Sequence, residues 1–338
     1  MNKSVLAICD AEESYVRRLS DVLSQKSMFP FQIQAFSDPE QLRAFADDQA
    51  VEILLIEGAS LNPEVESIPQ GKLILLSDGN SPQGKEAYPS VYKYQSASRI
   101  LREVMACYSE SEHAVLPSVA RKELEIIGIY SPVGRTLKTT FAITLGQILS
   151  EEYHTLYLNL EEYSGLQERL GLDFQENLSD LIYFLRQEKP NLIYRITGMV
   201  QKIGALDYIP PMLSVMDLRE ISYREWEYLL DELILYSGYE KIVIDFGLSV
   251  DNLFHILNLC GKIYMPVRDD PVSSSKIEQY EKLLTLADQG ELLAKTEKLN
   301  FPVFSTISSR GCPPEQLAHS EIGEYVRELL KEGNTWTQ

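Results

Sequence analysis

The stretch that decides the fold of this chain reads Tyr130-Ser131-Pro132-Val133-Gly134-Arg135-Thr136-Leu137-Lys138-Thr139-Thr140-Phe141-Ala142. A buried apolar strand is predicted before it, over residues 124–129, and a helix continues from it over residues 139–150. The loop between them is irregular and rich in small and polar residues. Strand, loop and helix in this order are the repeating unit of an α/β domain with a parallel sheet.

Short apolar runs separated by helical segments follow this unit along the chain. They favour a mostly parallel sheet with right-handed crossovers. A helix over residues 223–236 carries Trp226 and Tyr228 as core candidates, and a final helix near residues 321–331 is expected to pack on its own domain. The further predicted strands are residues 154–159, 206–209, 241–244, 262–267 and 302–305.

The N-terminal part alternates strands and helices in the manner of a doubly wound α/β domain. Its predicted strands are residues 5–9, 31–36, 51–56, 72–76 and 91–94, and its predicted helices are residues 12–25, 39–46 and 96–108. A polar stretch containing Pro117 marks the boundary. We therefore expect a first domain over residues 1–112, a linker over residues 113–123 and a second domain over residues 124–338.

Composition excludes several classes of function. With 31 basic against 50 acidic residues the net charge is −19, which argues against a broad electrostatic footprint on DNA or on an anionic membrane. No apolar run approaches the roughly 20 residues of a transmembrane helix, so a cytoplasmic protein is expected. The 4 cysteines lie far apart and are interpreted as free thiols. Peripheral membrane association is disfavoured but stays open, as do local basic patches.

The first domain resembles the receiver domains of response regulators, in which an acidic pair binds Mg²⁺ and an Asp accepts phosphate. Asp10 occupies one position of the pair and Cys9 the other, and Glu57 stands where the phospho-acceptor would be. Ser77 and Lys93 fall at the positions of the switch hydroxyl and the receiver lysine. The resemblance therefore implies a domain that is not phosphorylated.

Two interpretations of this degenerate receiver stay open. Glu57 imitates a phosphorylated Asp by reaching Lys93 or Ser77 in a charge-assisted pair, or the fold survives only as a docking module. Both interpretations make the domain a unit for partner binding or localisation.

The quoted stretch resembles the deviant Walker A loop of MinD/ParA ATPases, whose pattern is K-G-G-x-G-K-T-T. Val133 replaces the signature lysine, and Arg135 and Leu137 replace glycines, at an expected strain of roughly 1–3 kcal/mol for a branched residue. The resemblance implies binding of ATP or ADP, with Lys138 on the phosphates and Thr139 and Asp245 on Mg²⁺. The residues that would bind the nucleotide are Gly134, Arg135, Thr136, Leu137, Lys138, Thr139 and Thr140.

Two further segments are similar to the same family. Residues 239–245 resemble a Walker B strand that ends in Asp245. Asn159 and Glu161 stand where the family carries an Asp-x-Asp beside the attacking water, so they are the candidate catalytic residues. Because an amide cannot replace a carboxylate, and because Val133 cannot reach a partner's nucleotide as the signature lysine does, the resemblance implies slow or absent hydrolysis. Arg135 either supplies a replacement cation or is simply solvated.

The order of a receiver-like domain before a MinD/ParA-like domain is similar to the CpaE proteins of type IVc (Tad) pilus assembly. This resemblance implies a nucleotide-binding localisation or assembly regulator that is read by proteins of the pilus or localisation machinery, and it is compatible with a homodimer. The alternative is a pseudo-ATPase scaffold that acts only by protein–protein interaction. A ParA-like ATPase that partitions DNA suits neither the acidic balance nor Val133.

Overall fold

Parallel strands form two separate sheets in this protein, shown by a computed structural model. The structure describes residues 4–24, 29–79, 84–85, 87–111, 124–187, 191–305 and 312–334. The chain divides into two compact units, Met1–Ala120 with Glu188–Met199, and Arg121–Gln187 with Val200–Gln338. The predicted linker over residues 113–123 lies outside the described ranges. None of the helices described is both long and apolar enough to cross a bilayer.

The first unit contains a five-stranded sheet in the order β2-β1-β3-β4-β5, with every pair parallel. This order is that of a flavodoxin-like doubly wound sheet. Its strands are β1 (Ser4–Cys9), β2 (Phe31–Phe36), β3 (Val51–Glu57), β4 (Gln70–Ser77) and β5 (Ser90–Tyr92). Its first helices are α1 (Glu13–Ser24), α2 (Pro39–Asp48), the short α3 (Pro63–Glu66) and α4 (Ala97–Ser109). The carboxyl ends of β1 and β3 are neighbours, which brings Asp10 close to Glu57.

The second unit contains a seven-stranded sheet in the order β12-β11-β6-β10-β7-β9-β8, in which only the β8–β9 pair is antiparallel. Its strands are β6 (Glu125–Ile129), β7 (Thr155–Leu160), β8 (Gln201–Ile203), β9 (Leu206–Tyr208), β10 (Lys241–Phe246), β11 (Lys262–Val267) and β12 (Thr296–Asn300). The loops after β6, β7 and β10 therefore emerge at the same edge, where open α/β sheets bind ligands.

Helices cover both faces of this sheet or lie at its edges. They are α5 (Lys138–Leu149), α6 (Leu166–Leu170), α7 (Leu178–Arg186), α9 (Val215–Arg219), α10 (Tyr223–Tyr236), α11 (Leu253–Asn258), α12 (Pro271–Leu286), α13 (Gly290–Lys295), a 3-10 helix (Pro314–His319) and α14 (Glu321–Asn334). Helix α5 is buried from Phe141 to Leu149 and packs against the 3-10 helix and α14. The predicted fold class, α/β with a flavodoxin-like doubly wound domain followed by a domain with a mostly parallel sheet, is confirmed by these two sheets.

Helix α8 (Leu192–Met199) follows α7 in the chain but belongs to the first unit. Its buried side chains pack on α4. The two helices approach closely at Gly198, where a Cβ would lie only 3.2 Å from Cα of Arg102. Tyr194 lies against two aromatic rings of the first unit, with ring centroids 4.8 Å from Tyr108 and 5.7 Å from Phe31. The first unit is therefore built from two separated stretches of the chain.

Two predictions from the sequence are wrong. The last strand of the second sheet is Thr296–Asn300, not residues 302–305. It was missed because it lies at an edge and buries only Leu299, so its polar residues hide the strand pattern, while Pro302 has no N–H to donate to a ladder. Tyr228 is 44% exposed, whereas Trp226 on the same helix is buried as predicted.

Candidate functional site

The loop between β6 and α5 contains two non-glycine residues in the left-handed region. Arg135 has φ 58° and Leu137 has φ 59°. These are the two positions at which the resemblance aligned glycines, so the glycine backbone geometry is present without the glycines. The left-handed conformation costs roughly 1–2 kcal/mol for an L-residue, and such strain collects at functional sites.

Polar contacts and packing hold the loop in this shape. Oγ of Ser131 accepts a hydrogen bond from the Val133 N–H at 3.2 Å, and Oγ1 of Thr136 donates to the Val133 carbonyl at 3.5 Å. Val133 and Thr136 are buried, and Leu137 packs against the core of the second unit. The surrounding structure therefore overrides the backbone preference of the substituted residues.

The loop and the first turn of α5 present unpaired backbone donors. None of the hydrogen bonds found among the described residues uses a backbone N–H of residues 134–140. Leu137, at the N-cap of α5, makes no side-chain cap, and the first turn carries no acidic residue. A pocket of about 520 Å³ is lined by residues 131–140, Glu161, Glu162, Gly247 and Leu248. Free N–H groups at a helix N-terminus form an anion site.

Arg135 allows the strain in the loop to be measured. We expect Arg135→Gly to be about 1 kcal/mol more stable than Arg135→Ala, because both remove the guanidinium while only glycine relieves the left-handed backbone. Urea unfolding of the two variants measures the difference. Equal stability would show that the loop does not hold residue 135 at positive φ in solution.

Lys138 is the first residue of α5, and its side chain is only 12% exposed. Its Nζ forms an ion pair with Glu161 and donates to the carbonyl of Phe246, and it lies 3.5 Å from Oδ1 of Asp245. Burial alone would lower the pKa of Lys138, but Asp245 and Glu161 outweigh it and raise the pKa. The lysine is therefore a fixed cation at the mouth of the loop.

Asp245 is the next-to-last residue of β10 and is fully buried. Among the described residues, its Oδ1 accepts no hydrogen bond, while Oδ2 accepts one from Tyr157 at 3.3 Å. Burial raises the pKa of Asp245, against the opposing effects of Lys138 and of hydrogen bonds from Thr139 and Tyr157. A buried carboxylate oxygen whose only ion-pair partner among the described residues is Lys138, at 3.5 Å, and which lies beside Thr139, fits a divalent cation with few protein ligands.

Asn159 and Glu161 lie at the end of β7 and make different contacts. Glu161 lines the pocket and contacts Lys138. Asn159 is buried; its Nδ2 donates to the Tyr157 hydroxyl at 2.8 Å and its Oδ1 accepts from the Glu161 N–H at 3.0 Å. Both ends of the amide are thus engaged within the chain.

Glu162 and Gly247 shape the pocket and were not singled out in the sequence. Oε1 of Glu162 accepts a hydrogen bond from the Leu248 N–H at 2.6 Å. Burial would raise the pKa of Glu162, but hydrogen bonds from the backbone and from Ser249 outweigh it and lower the pKa. A Cβ on Gly247 would lie 2.6 Å from the Leu160 carbonyl oxygen and 2.8 Å from Oε2 of Glu162. A second acid directly after Glu161 was the available signal for Glu162, and for Gly247 the signal was its position two residues after Asp245, which ends the segment that resembles a Walker B strand.

The first unit contains its own charged centre. Nζ of Lys93 lies 3.1 Å from Oδ2 of Asp10 and 3.1 Å from Oε1 of Glu57, with Lys93 5% and Asp10 1% exposed. Burial would lower the pKa of Lys93, but its hydrogen bonds to the two acids raise it. Oγ of Ser77 accepts the Gly79 N–H at 3.1 Å. Burial and the nearby Asp10 raise the pKa of Cys9 to about 12, so at neutral pH its thiol is protonated.

The structure thus gathers the predicted residues at two centres. Lys138, Thr139, Glu161 and Asp245 meet below the loop, with Thr140 on the pocket wall and Arg135 exposed. Asp10, Glu57 and Lys93 meet in the first unit.

Comparisons with known proteins give similar solved structures. A plasmid partition protein of Borrelia burgdorferi B31 bound to AMPPNP is 16% identical, with a TM-score of 0.43, over 63% of this chain and 100% of that one. A ParA family ATPase from Chlorobium tepidum TLS is 20% identical, with a TM-score of 0.45, over 60% and 82%. A chain of the MinC:MinD cell division protein complex of Aquifex aeolicus is 18% identical, with a TM-score of 0.40, over 58% and 76%. No family model and no curated protein matches.

Proposed function

We propose that the second unit binds ATP or ADP with Mg²⁺ at the pocket of residues 131–140, and that the protein is a localisation or assembly regulator with slow or absent hydrolysis. The observation that carries this proposal is the run of N–H groups from residue 134 to residue 140 that have no partner among the described residues, in a loop that keeps two non-glycine residues at positive φ. Such a run of donors matches the oxygens of a di- or triphosphate.

Each residue of the site has a part in this proposal. Lys138 neutralises phosphate charge, and the N–H groups of the loop orient the phosphate oxygens. Thr139 and Asp245 hold Mg²⁺, for which Oδ1 of Asp245 is suited because it accepts no hydrogen bond among the described residues. The ion, when bound, offsets the charge of the phosphates. Gly134 leaves the loop open, since a Cβ there would meet no atom within 4 Å.

Slow hydrolysis is proposed from three features of the site. Val133 is buried, so no cation projects from the position of the signature lysine. Asn159 has both ends of its amide engaged, and Glu161 is paired with Lys138 rather than directed at a water. A general base must reach the proton that it removes, and neither side chain is arranged to do so.

One observation favours the alternative of a scaffold without nucleotide. The buried cation at the loop, Lys138, is already balanced by Glu161 and Asp245. In that case both units act through protein partners. The first unit is proposed as the docking module in either case, with Glu57 paired to Lys93 in place of a phosphorylated Asp. Partners from pilus assembly or localisation machinery, and a homodimer, remain part of this proposal.

Calorimetric titration of ATP with Mg²⁺ tests the proposal. Lys138→Ala is expected to weaken binding about 10- to 150-fold, the range for losing a charge-assisted hydrogen bond of about 1.5–3 kcal/mol. The control is Lys262→Ala, because Lys262 begins β11 at the opposite edge of the sheet and forms an ion pair with Glu297 on the surface. Absence of binding by the unmodified protein at millimolar nucleotide would leave the scaffold as the function.

A further inference from the structure

The ammonium group of Lys138, which a phosphate would need as a partner, already forms an ion pair with Glu161. Glu161 lies in the loop after β7 with its side chain 24% exposed, and both residues line the pocket. The two remaining contacts of Lys138, the Phe246 carbonyl and Asp245, come from β10. Lys138 is therefore bound on one side by a strand of the sheet and on the other side by a carboxylate on a surface loop.

We infer that Glu161 competes with phosphate for Lys138 and so makes anion binding at this loop dependent on a divalent cation. This inference rests on the proposed function and concerns its regulation. It assigns Glu161 to the control of ligand binding rather than to catalysis.

The balance of charge supports this assignment. One ammonium faces two carboxylates, those of Glu161 and Asp245, before any phosphate arrives. A phosphate placed at Lys138 would either displace Glu161 or share the lysine with it, and like charges at such distances repel strongly where solvent is limited. A divalent cation reverses the sign, because it pairs with the carboxylates and with the phosphate oxygens together.

Glu161 is the partner that can leave the lysine. Asp245 is fully buried on β10 and its Oδ2 accepts the Tyr157 hydroxyl, so turning it would break the core. Glu162, the other acid on the pocket wall, is held by the Leu248 N–H. Glu161 makes its side-chain contact with Lys138 and keeps access to the open pocket, so it can turn toward solvent or toward a cation.

The experiment compares tripolyphosphate and ATP binding by calorimetry, each with Mg²⁺ and with a chelator, in the full-length protein. Tripolyphosphate lacks the base and reports the loop alone. The unmodified protein should bind both ligands at least about tenfold more weakly without Mg²⁺ than with it. Without Mg²⁺, Glu161→Gln should bind them about tenfold more tightly than the unmodified protein does. Glu168→Gln is the control, because Glu168 is an exposed acid on α6 that does not line the pocket.

The outcomes separate the inference from the proposal below it. If Glu161→Gln and Glu161→Ala bind metal-free tripolyphosphate within twofold of the unmodified protein, the inference is overturned while nucleotide binding stands. If no variant binds either ligand in any condition, the proposed function fails and the inference fails with it. Circular dichroism melting of both variants establishes that they are folded.

Discussion

Replacing Tyr194 by alanine is expected to lower the free energy of unfolding of the first unit by about 3–5 kcal/mol, the usual cost of removing a large buried aromatic ring. Tyr194 is 1% exposed, and its ring lies edge-on to Tyr108 at 4.8 Å and nearly parallel to Phe31 at 5.7 Å. Tyr108 in turn donates its hydroxyl to Oε1 of Glu52 at 2.6 Å. Removal of the Tyr194 ring therefore leaves a cavity and weakens the attachment of α8 to α4.

Amide hydrogen exchange in α4 measures this effect within the first unit. Tyr194→Phe removes only the hydroxyl that hydrogen bonds with Tyr108 and should cost about 1 kcal/mol. Tyr183→Ala is the matched control, since Tyr183 is 63% exposed on the preceding helix and its loss should cost under about 0.5 kcal/mol. If Tyr194→Ala is as mild as this control, α8 is not part of the first unit in solution.

Replacing Lys93 by methionine is expected to lower the free energy of unfolding of the first unit by about 3–5 kcal/mol, because it leaves the buried Asp10 without a cation. Methionine keeps the length of the stem, so the loss reports the charge rather than the packing. Asp10→Asn combined with Lys93→Met should recover much of the stability, since the double variant buries no unpaired charge. Amide hydrogen exchange in β1 and β3 measures the stability of the first unit in these variants.

The pH dependence of this centre has a definite sign. Because the pKa of Lys93 is raised above its ordinary value of 10.5, its contribution to stability is fully present below that value and is lost only as the pH rises through the folded pKa.

The control for the removal of the Lys93 charge is Arg43→Met. The side chains of Arg43 and its ion-pair partner Glu64 are 51% and 68% exposed, so this variant should change stability by less than about 1 kcal/mol. Equal losses from Lys93→Met and Arg43→Met would mean that the buried pair does not hold the centre together.

These two predictions bear on how the first unit works. Glu57 already occupies Lys93 at 3.1 Å, so the centre has its charges paired without any phosphate. Helix α8 lies between α7 and β8 in the chain but belongs to the first unit, so the chain passes between the units at three places, after residues 120, 187 and 199. A fragment ending at residue 112 would lack this helix. Full-length protein is therefore the form in which the docking role should be tested.

Much of the candidate site could be predicted because each of its residues lies beside a strand or helix that the sequence pattern marks. Apolar runs identified β6 before the loop and β10, which contains Asp245, and Lys138 and Thr139 begin the helix that follows the loop. The predicted strain at Leu137 corresponds to a left-handed backbone, φ 59°. The pairing of Glu161 with Lys138 could not be predicted, because the contact depends on the side-chain direction of a loop residue 23 positions away in the chain (161 − 138).

What the sequence by itself determined is the set of elements: two runs of alternating strands and helices, with the polar residues of the two centres near their ends. Local periodicity and residue type suffice for these, since strands and helices bury apolar side chains with fixed periods. Only the tertiary structure decided that α8 completes the first unit, that Thr296–Asn300 is the edge strand and that Glu161 occupies Lys138. Each of these depends on contacts between residues distant in the chain, and the free energy of such contacts, rather than any local pattern, selects them.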